Sequence, residues 1–154
     1  MVVSGLEDLA CRASYELQCL SYPARPWVQR HTHDGEPVHN VVVVGAGQSG
    51  VAIAFGLIRE RVLDVLVLDR NPPGQEGPWA AYARMHMLRT PKTVTGPDLG
   101  IPSLSVRSWY EAKFGEQAWE KLGKIPRDLW LEYLLWVRET VGDRKSTRLN
   151  SSHT

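Results

Sequence analysis

The chain of 154 residues is poor in cysteine, has no long apolar run and carries no excess of either charge. Its only cysteines, Cys11 and Cys19, lie in a segment that reads as helical. Eight residues of helix separate them by roughly 12 Å at about 1.5 Å of rise per residue, beyond the reach of a disulfide. Two unpaired thiols point to a reducing compartment, and each is expected as a small buried side chain. No apolar stretch approaches the roughly 20 residues that cross a bilayer, so no transmembrane helix is expected. Glu7, Asp8 and Arg12 interrupt the N-terminus where a secretory signal needs an apolar core, which makes a cytoplasmic location the expectation. The 18 basic and 17 acidic side chains form no long run of one sign, so neither nucleic acid nor a membrane surface is an expected partner. His31, His33 and Asp34 lie in a proline-bounded stretch without a second ligand cluster, and no metal site is expected.

What is present is a change of hydrophobic period along the chain. Leu6, Leu9, Cys11, Ala13, Leu17 and Leu20 recur at helical spacing, with Ser4 as a cap and Glu7 three residues later, so Leu6 to Leu20 reads as an amphipathic helix appended to the rest. Pro23, Pro26, Gly35 and Pro37 make Ser21 to His39 a linker. Val41 to Val44 reads as a strand buried on both faces of a parallel sheet. Ser49 to Arg61 reads as a helix buried around much of its circumference, and Val65 to Leu68 as a second strand ending at Asp69. Asn71-Pro72-Pro73-Gly74 then opens a long loop of about thirty residues with no sustained period. Helices are expected over Ser105 to Phe114, Gly115 to Leu122 and Pro126 to Thr140, the last with Leu129, Tyr133, Leu134, Trp136 and Val137 on its apolar side. Trp109, Trp119, Trp130 and Trp136 read as packing residues.

The chemistry lies in Gly45-Ala46-Gly47-Gln48-Ser49-Gly50. A dinucleotide pyrophosphate is held by backbone N–H groups and a helix N-terminus, a geometry that needs glycine. Gly45 permits the turn out of the strand, Gly47 the approach of backbone to phosphate, and Gly50 the close packing of helix on sheet. The motif alone is weak evidence, and a phosphate-indifferent βαβ unit is the alternative. Its context strengthens it: it follows a four-valine strand, opens a helix, and is followed nineteen residues after Gly50 by Asp69 at the end of a second strand. The Asp69 carboxylate can accept the ribose hydroxyls of an adenine nucleotide. FAD and NAD(P) share this fingerprint.

The downstream loop, Gln75-Glu76-Gly77-Pro78-Trp79 and then Tyr82 to Lys92, resembles the segment that follows the second strand in flavin-dependent N-hydroxylating and Baeyer–Villiger-type monooxygenases and their relatives. The resemblance continues through Gly96 to Pro102, Trp109-Tyr110-Glu111-Ala112 and Ile125-Pro126-Arg127. It implies FAD as the cofactor, NAD(P)H as reductant in the full-length protein, and oxygen transfer to a nitrogen, sulfur or carbonyl carbon of a small-molecule substrate. The flavin carries such chemistry while the protein binds and orients, so no catalytic side chain is assigned. In these families a Gly-x-Trp turn runs along the flavin. Trp79 stacks beside the flavin ring or fills the core. Arg89 and Lys92 face the cofactor, as the resemblance implies, or are solvated, and Arg70 stacks on adenine or is solvent-exposed. A disulfide reductase is disfavoured because both cysteines precede Gly45. An NAD(P)-dependent dehydrogenase, and a truncated nucleotide-binding module without turnover, stand as alternatives.

The last residues, 143–154, have no hydrophobic period and read as a disordered tail. Asp143 to His153 also resembles the translation of a sequencing adapter, so a non-native tail on an N-terminal fragment is the expectation, with a native disordered C-terminus as the alternative. The expected fold is therefore α/β: a Rossmann-like, FAD-binding βαβ start of a parallel sheet, incomplete, with an N-terminal helix and C-terminal helices. Residues 1–40 form a helical extension and linker, 41–142 a partial FAD/NAD(P)-binding domain, and 143–154 the tail.

Overall fold

A computed structural model describes residues 5–20, 24–94 and 96–142. The Ser4 cap and the tail over 143–154 lie outside the described residues, as does part of the expected linker, Ser21 to Pro23. The architecture is mixed α/β. Helix α1 (Gly5–Cys19) is followed by strands β1 (His31–His33), β2 (Glu36–Val38) and β3 (Val41–Val44), helix α2 (Gln48–Arg59) and strand β4 (Val65–Leu68). A 3-10 turn over Pro102–Leu104 then leads into helices α3 (Val106–Phe114), α4 (Glu116–Lys121) and α5 (Arg127–Gly142). The stretch between β4 and the 3-10 turn holds no named helix or strand, as its proline and glycine content requires.

β3 and β4 pair in parallel, Val41 opposite Val65 through Val44 opposite Leu68, with α2 as the crossover. A parallel pair cannot be joined by a tight turn, so the intervening helix is obligatory. Val43, Val65 and Val67 pack with Ala46, Ala54 and Val62 in a small core between sheet and helix. The opposite face of β3 is open, with Val44 85% exposed and Val42 also exposed. Burial on both faces is thus not observed for β3: among the described residues only β4 pairs with it, and α2 covers one side of the pair.

A larger core lies among the helices. Leu9, Ala13 and Leu17 of α1, at i, i+4 and i+8, pack with Leu104, Val106, Trp109, Tyr133 and Val137. Phe55 of α2 joins this second core, so α2 serves both. Helix α1 is accordingly a core element and not an appendage. Its outer face carries Cys11 and Cys19, both free and exposed where burial was expected. On α5 the buried stripe is Trp130, Tyr133, Val137 and Val141, steps of three and four that follow the helical period. Leu129, Leu134 and Trp136 flank that stripe and are only partly buried. Pro126 stands just before α5, its carbonyl accepting the Trp130 N–H at 3.0 Å.

The expected linker contains a hairpin. β1 and β2 pair antiparallel across Asp34 and Gly35, whose φ values of 51° and 84° are those of a two-residue turn with both central residues left-handed.

Candidate dinucleotide site

The C-terminal ends of β3 and β4 meet at the glycine loop. The Gly45 N–H donates to the Leu68 carbonyl at 2.7 Å, extending the ladder by one residue, and Gly45 then turns away at φ 102°, a conformation side chains resist. A Cβ on Gly50 would stand 1.8 Å from the Gly45 carbonyl oxygen, so only glycine lets α2 start this close to the strand. The first intrahelical bond runs from the Val51 N–H to the Gly47 carbonyl at 3.0 Å. The N–H groups of Gln48, Ser49 and Gly50 precede it. No side chain caps this end and no acid lies in the first turn, which leaves the positive end of the helix dipole to an external anion.

Asp69 ties β4 to the loop. Its Oδ2 accepts the Ala46 N–H at 2.7 Å and its Oδ1 accepts the Asn71 N–H at 2.8 Å. The Asn71 N–H above all, then the Ala46 N–H and the charges of Arg70 and Arg138, hold its carboxyl below the usual carboxylate range against partial burial. Each carboxylate oxygen keeps a second lone-pair direction, so ribose hydroxyls remain acceptable partners. Backbone donors, a glycine cradle and an ionised acid at the strand end together fit a dinucleotide.

The loop after β4 forms the facing wall. A Cβ on Gly47 would lie 3.2 Å from Gly77 Cα, and the reverse contact is the same, so the two backbones meet at their glycines. Trp79 is partly buried and packs edge-on against Trp130 with ring centroids 6.3 Å apart. Of the residues singled out in the sequence, Gly45, Ala46, Gly47, Gln48, Ser49, Gly50 and Asp69 thus lie together, with Arg70 exposed beside Asp69. Trp79 follows two residues after the Gly77 contact. Arg89 is exposed, and Lys92 is engaged elsewhere: its ammonium donates to the Trp119 carbonyl at 2.6 Å and sits 4.9 Å from the centroid of that indole. Neither is tied to the glycine loop.

Sequence reasoning passed over Glu76 and Arg138. The Glu76 side chain is 3% exposed, pairs with the Arg138 guanidinium, and accepts the Gly74 N–H at 2.7 Å. The only local signal was an acid between two glycines of a proline-rich loop. Its partner lies 62 residues away. Among the described residues no three His, Cys, Asp or Glu side chains gather in a metal-binding group, and no helix is long and apolar enough to cross a membrane.

Comparison with known proteins agrees with this geometry. The chain is 53% identical over 137 residues to a protein of Xanthomonas campestris pv. campestris named FAD-dependent urate hydroxylase, an alignment that covers 89% of this chain and 29% of that relative. The chain therefore spans less than a third of the curated relative's length. No solved structure matches. A family described as FAD-NAD(P)-binding matches residues 42–154. All of β3 but its first residue, the glycine loop, α2 and the acidic strand end fall within that match, and the chain belongs to the FAD-NAD(P)-binding family.

Proposed function

We propose that this chain is the FAD-binding part of an NAD(P)H-dependent flavin hydroxylase, and that the full-length protein oxidises urate or a closely similar oxidised purine. The observation that carries the cofactor reading is the join between Asp69 and Ala46: the acid that would meet the ribose also fixes the loop that would meet the pyrophosphate. The substrate reading comes from the 53% identical urate hydroxylase. In this reading the βαβ unit is the start of a larger Rossmann-like sheet, extended by strands that belong to the rest of the protein. Two free, exposed thiols support a reducing, cytoplasmic setting.

The residues divide the work. The N–H groups of Gln48, Ser49 and Gly50 would hold the pyrophosphate, Gly45 and Gly47 would let it approach, and Asp69 would orient the adenosine ribose. Trp79, Arg89 and Lys92 are proposed to lie along the rest of the cofactor, with Arg70 beside the adenine. A bound flavin would supply the redox chemistry, accepting hydride from NAD(P)H and activating O₂. The protein's part is binding, orientation and exclusion of water.

The test is the visible spectrum of the full-length protein and of its Gly47→Val variant, followed by NAD(P)H oxidation with and without urate. The expected result is a flavin spectrum that the variant loses, and oxidation stimulated by urate. A folded protein that stays colourless after FAD is added would overturn the flavin reading in favour of an NAD(P)-dependent dehydrogenase. A yellow protein that oxidises NAD(P)H but ignores urate would overturn the substrate alone.

A further inference from the structure

Helix α5 grips the loop that faces the glycine motif at three points. Arg127 donates to the Ala83 carbonyl at 2.8 Å, Trp130 meets Trp79 edge-on, and Arg138, 19% exposed, pairs with the buried Glu76. The last of these holds Glu76, the residue before Gly77, which meets Gly47. Pro72 and Gln75 close a turn through a 3.0 Å bond around Pro73 and Gly74, Glu76 fastens that turn at the Gly74 N–H, and the next residue, Gly77, abuts Gly47. The same guanidinium acts electrostatically on Asp69, which holds the Ala46 N–H. A buried ion pair is a poor source of net stability compared with apolar packing, and its presence in a loop of prolines and glycines calls for a reason of position.

We propose that Arg138 is a positioning residue for the cofactor: by clamping Glu76 it holds the Gly77 turn against Gly47 and so fixes the width of the pyrophosphate cradle. The inference rests on FAD occupying the glycine loop. Without the clamp, the turn samples positions in which the cradle is too wide or too narrow. If the competent arrangement falls to a tenth of the population, the apparent Kd for FAD rises about tenfold.

The experiment measures FAD affinity of the full-length apoprotein by quenching of flavin fluorescence, alongside the Tm of each apoprotein. Arg138→Met is expected to bind FAD about tenfold more weakly or worse and to lower the Tm, since it leaves Glu76 buried and unpaired. Adding Glu76→Gln removes that buried charge while keeping an acceptor for the Gly74 N–H. The double variant is expected to regain Tm but not FAD affinity, and Arg138→Lys to regain part of both. If Arg138→Met binds FAD as the wild type does, or if affinity returns together with Tm in the double variant, the positioning role is overturned. A wild-type protein that binds no FAD overturns the cofactor reading first, and is told apart by that control.

Discussion

The Asp69 carboxylate and the Ala46 N–H, 23 residues apart in sequence, are joined by a 2.7 Å hydrogen bond that closes the glycine loop onto the end of β4. Because Asp69 titrates below the usual range in the folded chain, its contribution to stability is present above the unfolded value of about 3.9 and is lost as pH falls through the lower folded value. In Asp69→Asn the amide turns an N–H₂ toward one of two backbone donors, and this pH-dependent contribution disappears. The gap in Tm between the wild-type and Asp69→Asn apoproteins should therefore be constant above about pH 5 and shrink below about pH 4. A gap that does not begin to shrink as pH falls below about 3.9, where the unfolded carboxylate takes up its proton, would show that Asp69 is not held ionised by these donors.

Gly50 and Gly47 are expected to fail differently. A methyl group on Gly50 meets the Gly45 carbonyl oxygen at 1.8 Å and has only backbone to displace, so Gly50→Ala should destabilise the fold by about 1–3 kcal/mol as an overpacked contact does. At Gly47 the same methyl group lies 3.2 Å from Gly77 Cα, a contact that a small shift of the turn relieves. Gly47→Ala should leave Tm within a few degrees of wild type while weakening FAD retention. Thermal melts of both apoproteins with flavin titration separate the two; equal loss of stability would refute the distinction.

Both cysteines should react with an aromatic disulfide reagent in the folded protein. Cys11 and Cys19 lie on the outer face of α1, whose inner face is already filled by Leu9, Ala13 and Leu17. Cys11→Ser and Cys19→Ser should each remove one rapidly titrating thiol without changing Tm. Reaction only after denaturant is added would place α1 differently.

The parts of this structure that could be read in the sequence are those whose determinants are local. Val41 to Val44, the glycine spacing, and Asp69 after Val65 to Leu68 each announce themselves within a few residues, so the βαβ unit and its loop emerged with nearly correct bounds. The hairpin around Asp34 and Gly35 did not, because strands of three exposed residues carry no hydrophobic alternation. The exposed face of β3 contradicts its valine run, since a sequence states that a strand can be covered on both sides but not what covers it. Arg138 reads as one more charged residue on an amphipathic helix until Glu76 is placed beside it.

The same limit applies to α1, whose role in the core depends on partners about ninety residues away. Glu16 accepts both the Ser103 N–H at 3.3 Å and its hydroxyl at 2.9 Å, while Leu17 on the next position is buried in the helical core. An appended helix would tolerate truncation of Leu17; a core helix would not. Leu17→Ala deletes a buried side chain from a packed cluster and should cost about 2–5 kcal/mol. Glu16→Gln keeps an acceptor for Ser103 and should cost about 1 kcal/mol, the difference between a charged and a neutral hydrogen bond. Denaturant melts of the full-length apoprotein read both. If Leu17→Ala falls within about 0.5 kcal/mol of wild type, the size of an ordinary surface substitution, α1 is not part of the core.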